Sequence, residues 1–319
     1  LNHINMKTKL LVILGSTSTG KTDLGLQLAK KYQGEIVSAD SRQVYKYLDI
    51  GTGKLPASFE ELERGDSYWE IDGIKIWMYD TVNPMEKFNL YEYIKRSNEV
   101  IYEIAGRGKL PILVGGTGLY IRSLLEGISN FGIAENSDLR EELEELNTAE
   151  IKKRIDSEIL KDLNNSDLNN KRRLIRLVEI SRGSNEMSGE SFEGLEKKYD
   201  VLKIGLATDR DILRGKISHR LISRINQGMI DESKDLLEKE ILSFKRMEEL
   251  GLEYRYLAKF IKGEIKSIEE FLNILTIKIG QFAKRQETWF KKEKDVSWFD
   301  VSETGYQNKV VNEVTDWYN

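Results

Sequence analysis

The sequence predicts an α/β protein: a P-loop core, with a parallel sheet flanked by helices, that carries an all-helical insertion domain. Three observations predict it. Gly15 to Thr22 reads GSTSTGKT, a complete G-x-x-x-x-G-K-[ST] loop set between an apolar run and a helical pattern. Two further short apolar runs, at 35–39 and 110–114, alternate with helical patterns, a βαβ succession that implies a parallel sheet covered by helices. Between 135 and 198 the succession stops, and short, highly charged helical segments replace it until a strand pattern returns at 201–206.

Taken in order, Leu10 to Leu14 is the first strand, and Lys21 to Tyr32 is the helix that the glycine-rich loop opens. Glu35 to Ala39 is the second strand, followed by a polar loop and a helix from about Asn89 to Arg107. The strand 110–114 ends in Gly115-Gly116-Thr117-Gly118, and a helix starts at Leu119. Helical segments such as 138–146 and 171–181 fill the insertion, with no strand-like run. After the strand 201–206 come helices near 209–228, 231–242, 248–262 and 267–292, and a short strand Ser297-Trp298-Phe299 closes the pattern. The expected organisation is core 6–134, insertion 135–198, and a second core part, 199–319, with the C-terminal helices. Leu1 to Asn5 precede Met6 and belong to none of these elements.

Composition narrows the function classes. The 319 residues suffice for one sizeable domain with an insertion, or for two domains. The absence of cysteine excludes disulfides and Cys-based zinc sites, and His3 and His219 are too few for a His-based one. No apolar stretch approaches the ~20 residues that span a membrane, and no signal-peptide pattern is present, so a cytoplasmic monomer without a membrane partner is expected. With 49 Lys+Arg against 53 Asp+Glu the formal charge is −4, so any nucleic-acid surface must be a local basic patch.

Chemistry enters with the loop Gly15, Ser16, Thr17, Ser18, Thr19, Gly20, Lys21, Thr22. Its successive backbone N–H groups form an anion-binding concavity at the positive end of a helix dipole. Lys21 would add a point charge to bound phosphates, and the Thr22 hydroxyl would ligate Mg²⁺. A P-loop hydrolase needs a second carboxylate for that ion, and the strand 110–114 ends without Asp or Glu. The strand 35–39 instead delivers Asp40, at the tip of a neighbouring parallel strand, where it could act as a general base toward an acceptor. The residue types favour a group transferase over a nucleotide-driven motor. Asp40 is also suited to an Asx-turn, and Thr117 to capping the helix from Gly118.

Two segments concentrate positive charge: Lys171-Arg172-Arg173 with Arg176 in the insertion, and Gln281 to Lys292 near the C-terminus. Each alone reads as a solvated helix face, and Trp289 and Phe290 read as core anchors. Combined with the phosphate loop and Asp40, they suggest a long anionic acceptor such as RNA.

The run Ser38 to Tyr45, the hexapeptide Asp49-Ile50-Gly51-Thr52-Gly53-Lys54, the segment Leu113 to Tyr120 and the segment Ala283 to Phe290 together resemble the tRNA dimethylallyltransferase family of bacterial type, in family order from Gly15 to about Phe290. The resemblance implies transfer of a dimethylallyl group from its diphosphate to the N6 amine of adenosine 37, in the tRNA anticodon stem-loop. It implies that the P-loop holds dimethylallyl diphosphate with Mg²⁺, and that no ATP is consumed. Asp40 matches the family's general base, and Asp40, Ser41, Arg42 and Gln43 a segment that touches tRNA. Thr117 matches a threonine at the reacting diphosphate, and Arg140 an arginine at the start of the insertion. Arg172, Arg173 and Arg176 match a grip on the anticodon arm, and Gln281, Lys284, Arg285 and Gln286 a further tRNA-contacting stretch.

The sequence departs from the family pattern in four places. Ser16 replaces a usual proline, a change expected to matter little. Trp77-Met78-Tyr79-Asp80 lacks the family's histidine. Glu253-Tyr254-Arg255 stands for Gly-Tyr-Arg, which puts tRNA contacts there in question. Gly132 to Ser137 replaces a proline-rich lead-in to Arg140. Two other classes remain open on the residues alone: a small-molecule or nucleoside kinase with ATP on the loop, which would not need the basic helices, and a non-catalytic RNA-binding protein, which would leave the loop and Asp40 idle.

Overall fold

The computed structural model describes residues 7–56, 58–131, 135–161, 163–183 and 190–319. Met6 and the lead-in residues Gly132 to Ala134 lie outside the described residues. Cα packing groups the chain into two compact units: residues through Leu125 with Leu195–Asn319, and Glu126–Gly194.

The first unit starts with β1 (Thr8–Gly15), α1 (Lys21–Tyr32) and β2 (Gly34–Ala39), followed by the short strands β3 (Leu62–Arg64), β4 (Tyr68–Ile71) and β5 (Ile74–Trp77). Next come α2 (Leu90–Gly106), β6 (Leu110–Gly115) and α3 (Gly118–Glu126). The second unit holds β7 (Gly127–Phe131), α4 (Ser137–Glu144), α5 (Thr148–Lys152), α6 (Ser157–Lys161), α7 (Asn165–Leu168), α8 (Lys171–Gly183) and β8 (Glu190–Glu193). The first unit resumes with β9 (Tyr199–Ala207), α9 (Arg210–Asn226), α10 (Met229–Glu238), α11 (Phe244–Leu250), α12 (Leu252–Ile261), α13 (Ile268–Phe290), β10 (Val296–Asp300) and α14 (Tyr306–Tyr318).

One eight-stranded sheet, in the order β10-β9-β1-β6-β2-β5-β4-β3, organises the first unit. Its first six strands run parallel, and β4 and β3 add antiparallel pairings at one edge. Leu10 to Leu14 are all fully buried, which is what an uninterrupted apolar run requires of a central strand covered on both faces. Helix α2 starts at a capping box, in which the Asn89 side chain accepts the Glu92 N–H and Glu92 reaches back to the Asn89 N–H. A second apolar cluster among α9 to α13, including Met229, Tyr254, Leu257, Phe271 and Leu275, supports the loops that follow β2.

The structure departs from the sequence reading in four places. The stretch after Asp40 is not only a polar loop, since it contains β3, β4 and β5. Asp72 and Gly73, both with positive φ, turn β4 into β5 with Ile71 opposite Ile74, an Asp-Gly hairpin signal flanked by apolar residues. Strands of three or four residues are too short to display their alternation in the sequence. The insertion is helical except for β8, which pairs antiparallel with β7. The partners lie some sixty residues apart, so no local pattern announces them. The helix expected over 248–262 is two helices, because Gly251 (φ 75°, ψ −171°) leaves helical geometry between α11 and α12. Finally, β10 does not close the chain: α14 follows and buries Val310 and Val314.

The second unit has its own core of Leu139, Leu143, Ile151, Ile155, Leu174, Ile175 and Val178. No described helix is long and apolar enough to cross a membrane.

Candidate active site

Register places Leu14 beside Gly115, and Gly115 beside Ala39, so β1, β6 and β2 end at one level. The loops leaving them carry the P-loop, Gly116-Thr117 and Asp40, on the side where open α/β sheets hold ligands. Asp40 is not on the strand next to the P-loop as the sequence suggested. β6 intervenes, so two strand spacings of ~4.8 Å separate β1 from β2.

Within the P-loop, Gly20 takes a left-handed conformation (φ 84°) and caps α1 without a side chain, which leaves the first helical N–H groups available to an anion. Lys21 Nζ donates to the Ser16 carbonyl at 2.6 Å, and Thr19 Oγ1 donates to the same oxygen at 2.9 Å. The useful atom of Ser16 is therefore its carbonyl, which a proline would offer equally. Burial, reinforced by the nearby Arg220 guanidinium, pushes Lys21 down to about 7, while Asp40 opposes the shift. That coupling puts Lys21, Arg220 and Asp40 in one electrostatic neighbourhood. Among the described residues no group of three His, Cys, Asp or Glu forms a metal cage. Magnesium held by one hydroxyl together with phosphate oxygens and water needs none, so Thr22 at the helix start suits that mode.

Asp40 Oδ1 accepts the Arg42 N–H at 2.8 Å, forming the Asx-turn, and its other oxygen has no hydrogen-bond partner among the described residues. Thr117 stands at the N-cap position of α3, its carbonyl accepting the Ile121 N–H at 3.2 Å, but its side chain does not cap the helix. Its Oγ1 accepts the Ser41 N–H at 3.1 Å while its own N–H donates to Ala39 O at 3.1 Å, joining the two loops. Arg42 is partly exposed and has no carboxylate partner among the described residues. Gln43, expected at the tRNA, is instead buried: its Oε1 accepts from Ser38 Oγ at 2.8 Å and its Nε2 donates to Gly53 O at 3.2 Å.

Sequence reasoning missed a set of residues around the loop Asp49 to Lys54. Arg220 and Arg224, four apart on α9 and hence on one face, donate to the carbonyls of Gly53 and Gly51, each at 3.4 Å. Fully buried Lys54 pairs with Asp49 at 2.9 Å and with Asp80. Asp80 also accepts from Trp69 Nε1 at 2.7 Å, and the Tyr79 hydroxyl donates to Lys54 O at 3.3 Å, so the segment lacking the family histidine is scaffold. Glu253 Oε1 lies 3.6 Å from Arg224 Nη1, and burial raises its carboxyl while Arg224 pulls it down. Only the i, i+4 arginine spacing was visible beforehand, and a chain this rich in charge offers many such pairs.

The basic segments divide in the same way. On α13, Gln281, Lys284 and Arg285 are exposed and lack ion pairs among the described residues. Gln286 is buried: its Oε1 accepts the Thr17 N–H at 2.9 Å and its Nε2 donates to Gly116 O at 2.8 Å, which corrects its assignment to a tRNA-facing surface. In the second unit Arg172 is exposed and unpaired among the described residues, Arg173 pairs with Asp167, and Arg176 Nη1 lies 3.0 Å from Glu179. Arg140, expected at the diphosphate, is bound to carboxylates of its own unit: bidentate to buried Glu179 at 2.7 and 2.9 Å, and 2.6 Å from Glu135. A buried carboxylate requires such a partner, so the Arg140 fork supports the insertion's own fold.

Comparison with known proteins places this geometry. The family model for IPP transferase matches residues 43–293, and that for isopentenyl transferase matches residues 8–72. The tRNA dimethylallyltransferase 1 of Syntrophus aciditrophicus (strain SB) is 42% identical over 294 residues, covering 90% of this chain and 90% of its own. The tRNA dimethylallyltransferase of Bacillus cereus (strain AH820) is 36% identical over 303 residues, covering 93% and 91%. A solved tRNA delta(2)-isopentenylpyrophosphate transferase from Staphylococcus epidermidis superposes with a TM-score of 0.66 at 31% identity, covering 97% of this chain and 99% of that one. A eukaryotic dimethylallyltransferase acting on tRNA superposes at 0.73 with 24% identity, covering 96% and 78%, a likeness of fold alone.

Proposed function

The chain belongs to the IPP transferase family of tRNA dimethylallyltransferases, and from that premise we propose how its residues divide the transfer of a dimethylallyl group from dimethylallyl diphosphate to the N6 amine of adenosine 37. The observation that carries the reading is the convergence of the P-loop, Lys21 and Asp40 at strand ends of one level, with glycines and a threonine after β6 where a motor protein would carry a second carboxylate. The comparisons run against the kinase alternative. A tRNA substrate is in keeping with a cytoplasmic enzyme.

An aromatic amine is a poor nucleophile, so the barrier falls mainly through charge stabilisation on the departing diphosphate while the allylic carbon gains cationic character. The P-loop amides and Lys21 face that charge, with the Arg220 guanidinium in the same electrostatic neighbourhood. Bound at the Thr22 hydroxyl, Mg²⁺ would supply further neutralisation of the diphosphate. As the N6–carbon bond forms and the carbon–oxygen bond breaks, the diphosphate leaves with the electron pair. Asp40, through the oxygen not used in its turn, takes the amine proton. Thr117 holds the Asp40 loop against the β6 loop. Extruding the stacked base costs a few kcal/mol, which phosphate contacts from Arg42, Lys284, Arg285 and Arg172 offset.

The test is incubation with labelled dimethylallyl diphosphate and an unmodified tRNA bearing adenosine 37, followed by nucleoside mass analysis. The expected product is N6-dimethylallyl adenosine with release of diphosphate. Absence of label from tRNA, with ATP hydrolysed at on the order of 1 s⁻¹ or faster, would return the loop to the kinase reading.

A further inference from the structure

Gln286 lies in a helix whose outer face is charged, yet it points inward. Gln286, Trp289, Ala283 and Phe290 recur at helical spacing and form the covered side of α13, while Lys284 and Arg285 stand on the exposed side. The inner side presses on the backbone of the β6 loop. A Cβ added to Gly116 would lie 2.4 Å from Gln286 Nε2, and one added to Gly118 would lie 2.2 Å from the Trp289 ring. These glycines leave space for side chains of α13.

The carboxamide joins two loops that no other side-chain hydrogen bond in the structure joins among the described residues. Its oxygen accepts the Thr17 N–H of the P-loop, and its nitrogen donates to the Gly116 carbonyl. The next residue, Thr117, receives the Ser41 N–H and donates its own N–H to Ala39, so the same line of contacts ends at Asp40. One amide therefore braces the loop that would hold the diphosphate against the β6 loop, on top of the register that aligns the strand ends. Only a group with an acceptor and a donor on one planar end meets both demands.

The geometry points to Gln286 as a positioning residue: it fixes the P-loop in the shape that binds the donor diphosphate and holds it in register with the Asp40 loop, acting through Thr17 and Gly116 and not by touching tRNA. The inference rests on the donor-loop reading above.

Inorganic diphosphate is the probe, titrated calorimetrically into the full chain and its variants, with each variant's thermal unfolding recorded. Gln286→Ala leaves the Gly116 carbonyl and the Thr17 N–H unpaired and should weaken diphosphate binding by about tenfold to a hundredfold. Gln286→Glu separates positioning from a general loss of structure. Its carboxylate can accept from Thr17 but cannot donate to Gly116, and it repels diphosphate, whereas its protonated form restores both bonds. The ratio of its Kd to the parent's should therefore be large at about pH 8 and shrink toward unity at about pH 5.5, a trend that a packing defect does not produce. Gly116→Ala reaches the same contact from the loop side and should show the same loss without the pH trend. Parent-like diphosphate affinity in Gln286→Ala and Gln286→Glu at both pH values, with tRNA binding lost, overturns the inference alone. A parent chain that binds no diphosphate overturns the donor-loop reading as well.

Discussion

Glu232 accepts the backbone N–H of Ile50 at 2.7 Å. The same carboxylate takes the N–H groups of Asp49 and Gly51 at 3.0 and 3.1 Å and the Tyr254 hydroxyl at 3.1 Å. Three successive amides converging on one anion form a nest of the kind that usually holds a ligand. Here the chain supplies the anion itself, and the loop so fixed offers the carbonyls of Gly51 and Gly53 to Arg224 and Arg220. Glu232→Ala should lower the unfolding free energy by about 2 kcal/mol, because partly buried donors lose their acceptor. The check is a fall in the urea midpoint at constant slope. An unmoved midpoint would assign the loop's anchorage to Lys54 instead.

Asp40→Asn keeps an oxygen for the Arg42 N–H and is nearly isosteric, so diphosphate and tRNA affinities should persist. The single-turnover rate should fall by about 10²–10⁴, the usual cost of losing a positioned base. A near-parental rate would mean that another group or solvent receives the amine proton.

Burial and Arg220 push the Lys21 amine down to about 7 from an ordinary 10.5, so its uncharged form gains as pH rises above neutrality in the free protein. A bound diphosphate favours the charged form and raises that value again. Binding should consequently take up a proton at pH 8, and affinity should decline as pH rises through 7. Calorimetry in two buffers of different ionisation enthalpy reads the uptake directly. Lys21→Arg, whose guanidinium never deprotonates in this range, should lose the buffer dependence. Equal enthalpies in both buffers for the parent chain would rule the proton linkage out.

Of Arg172, Arg173 and Arg176, Arg172 is the one without a partner among the described residues, while Arg173 and Arg176 face carboxylates. Arg172→Ala should therefore weaken tRNA binding and flatten the slope of log K against log salt by about 0.7–0.9, one phosphate's worth. Arg173→Ala should do less, and diphosphate affinity should change in neither. If salt titrations of Arg172→Ala superimpose on those of the parent, the cluster is a solvated helix face and Lys284 with Arg285 becomes the grip to test.

The sequence alone determined the P-loop, the existence of the long parallel strands, though not their order in the sheet, and the candidacy of Asp40. Each is written in a local code: an apolar run bounded by glycines, a helical period, a residue at a strand tip. The fate of most polar side chains was not written so. Gln281, Lys284, Arg285 and Gln286 lie in one short motif, and only packing turned the last of them inward. Arg140 stood out as a cation, and only the fold brought buried Glu179 against it. Arg220 and Arg224 showed only an ordinary i, i+4 spacing and Glu232 nothing, because the backbone groups they bind belong to a distant loop. The hydrogen bond between Thr17 and Gln286 spans 269 positions, and a donor that far from its acceptor leaves no trace in either neighbourhood. Periodicity reports which face of an element meets the core, but which buried polar group meets which is decided only when the elements pack and every unpaired donor must find an acceptor.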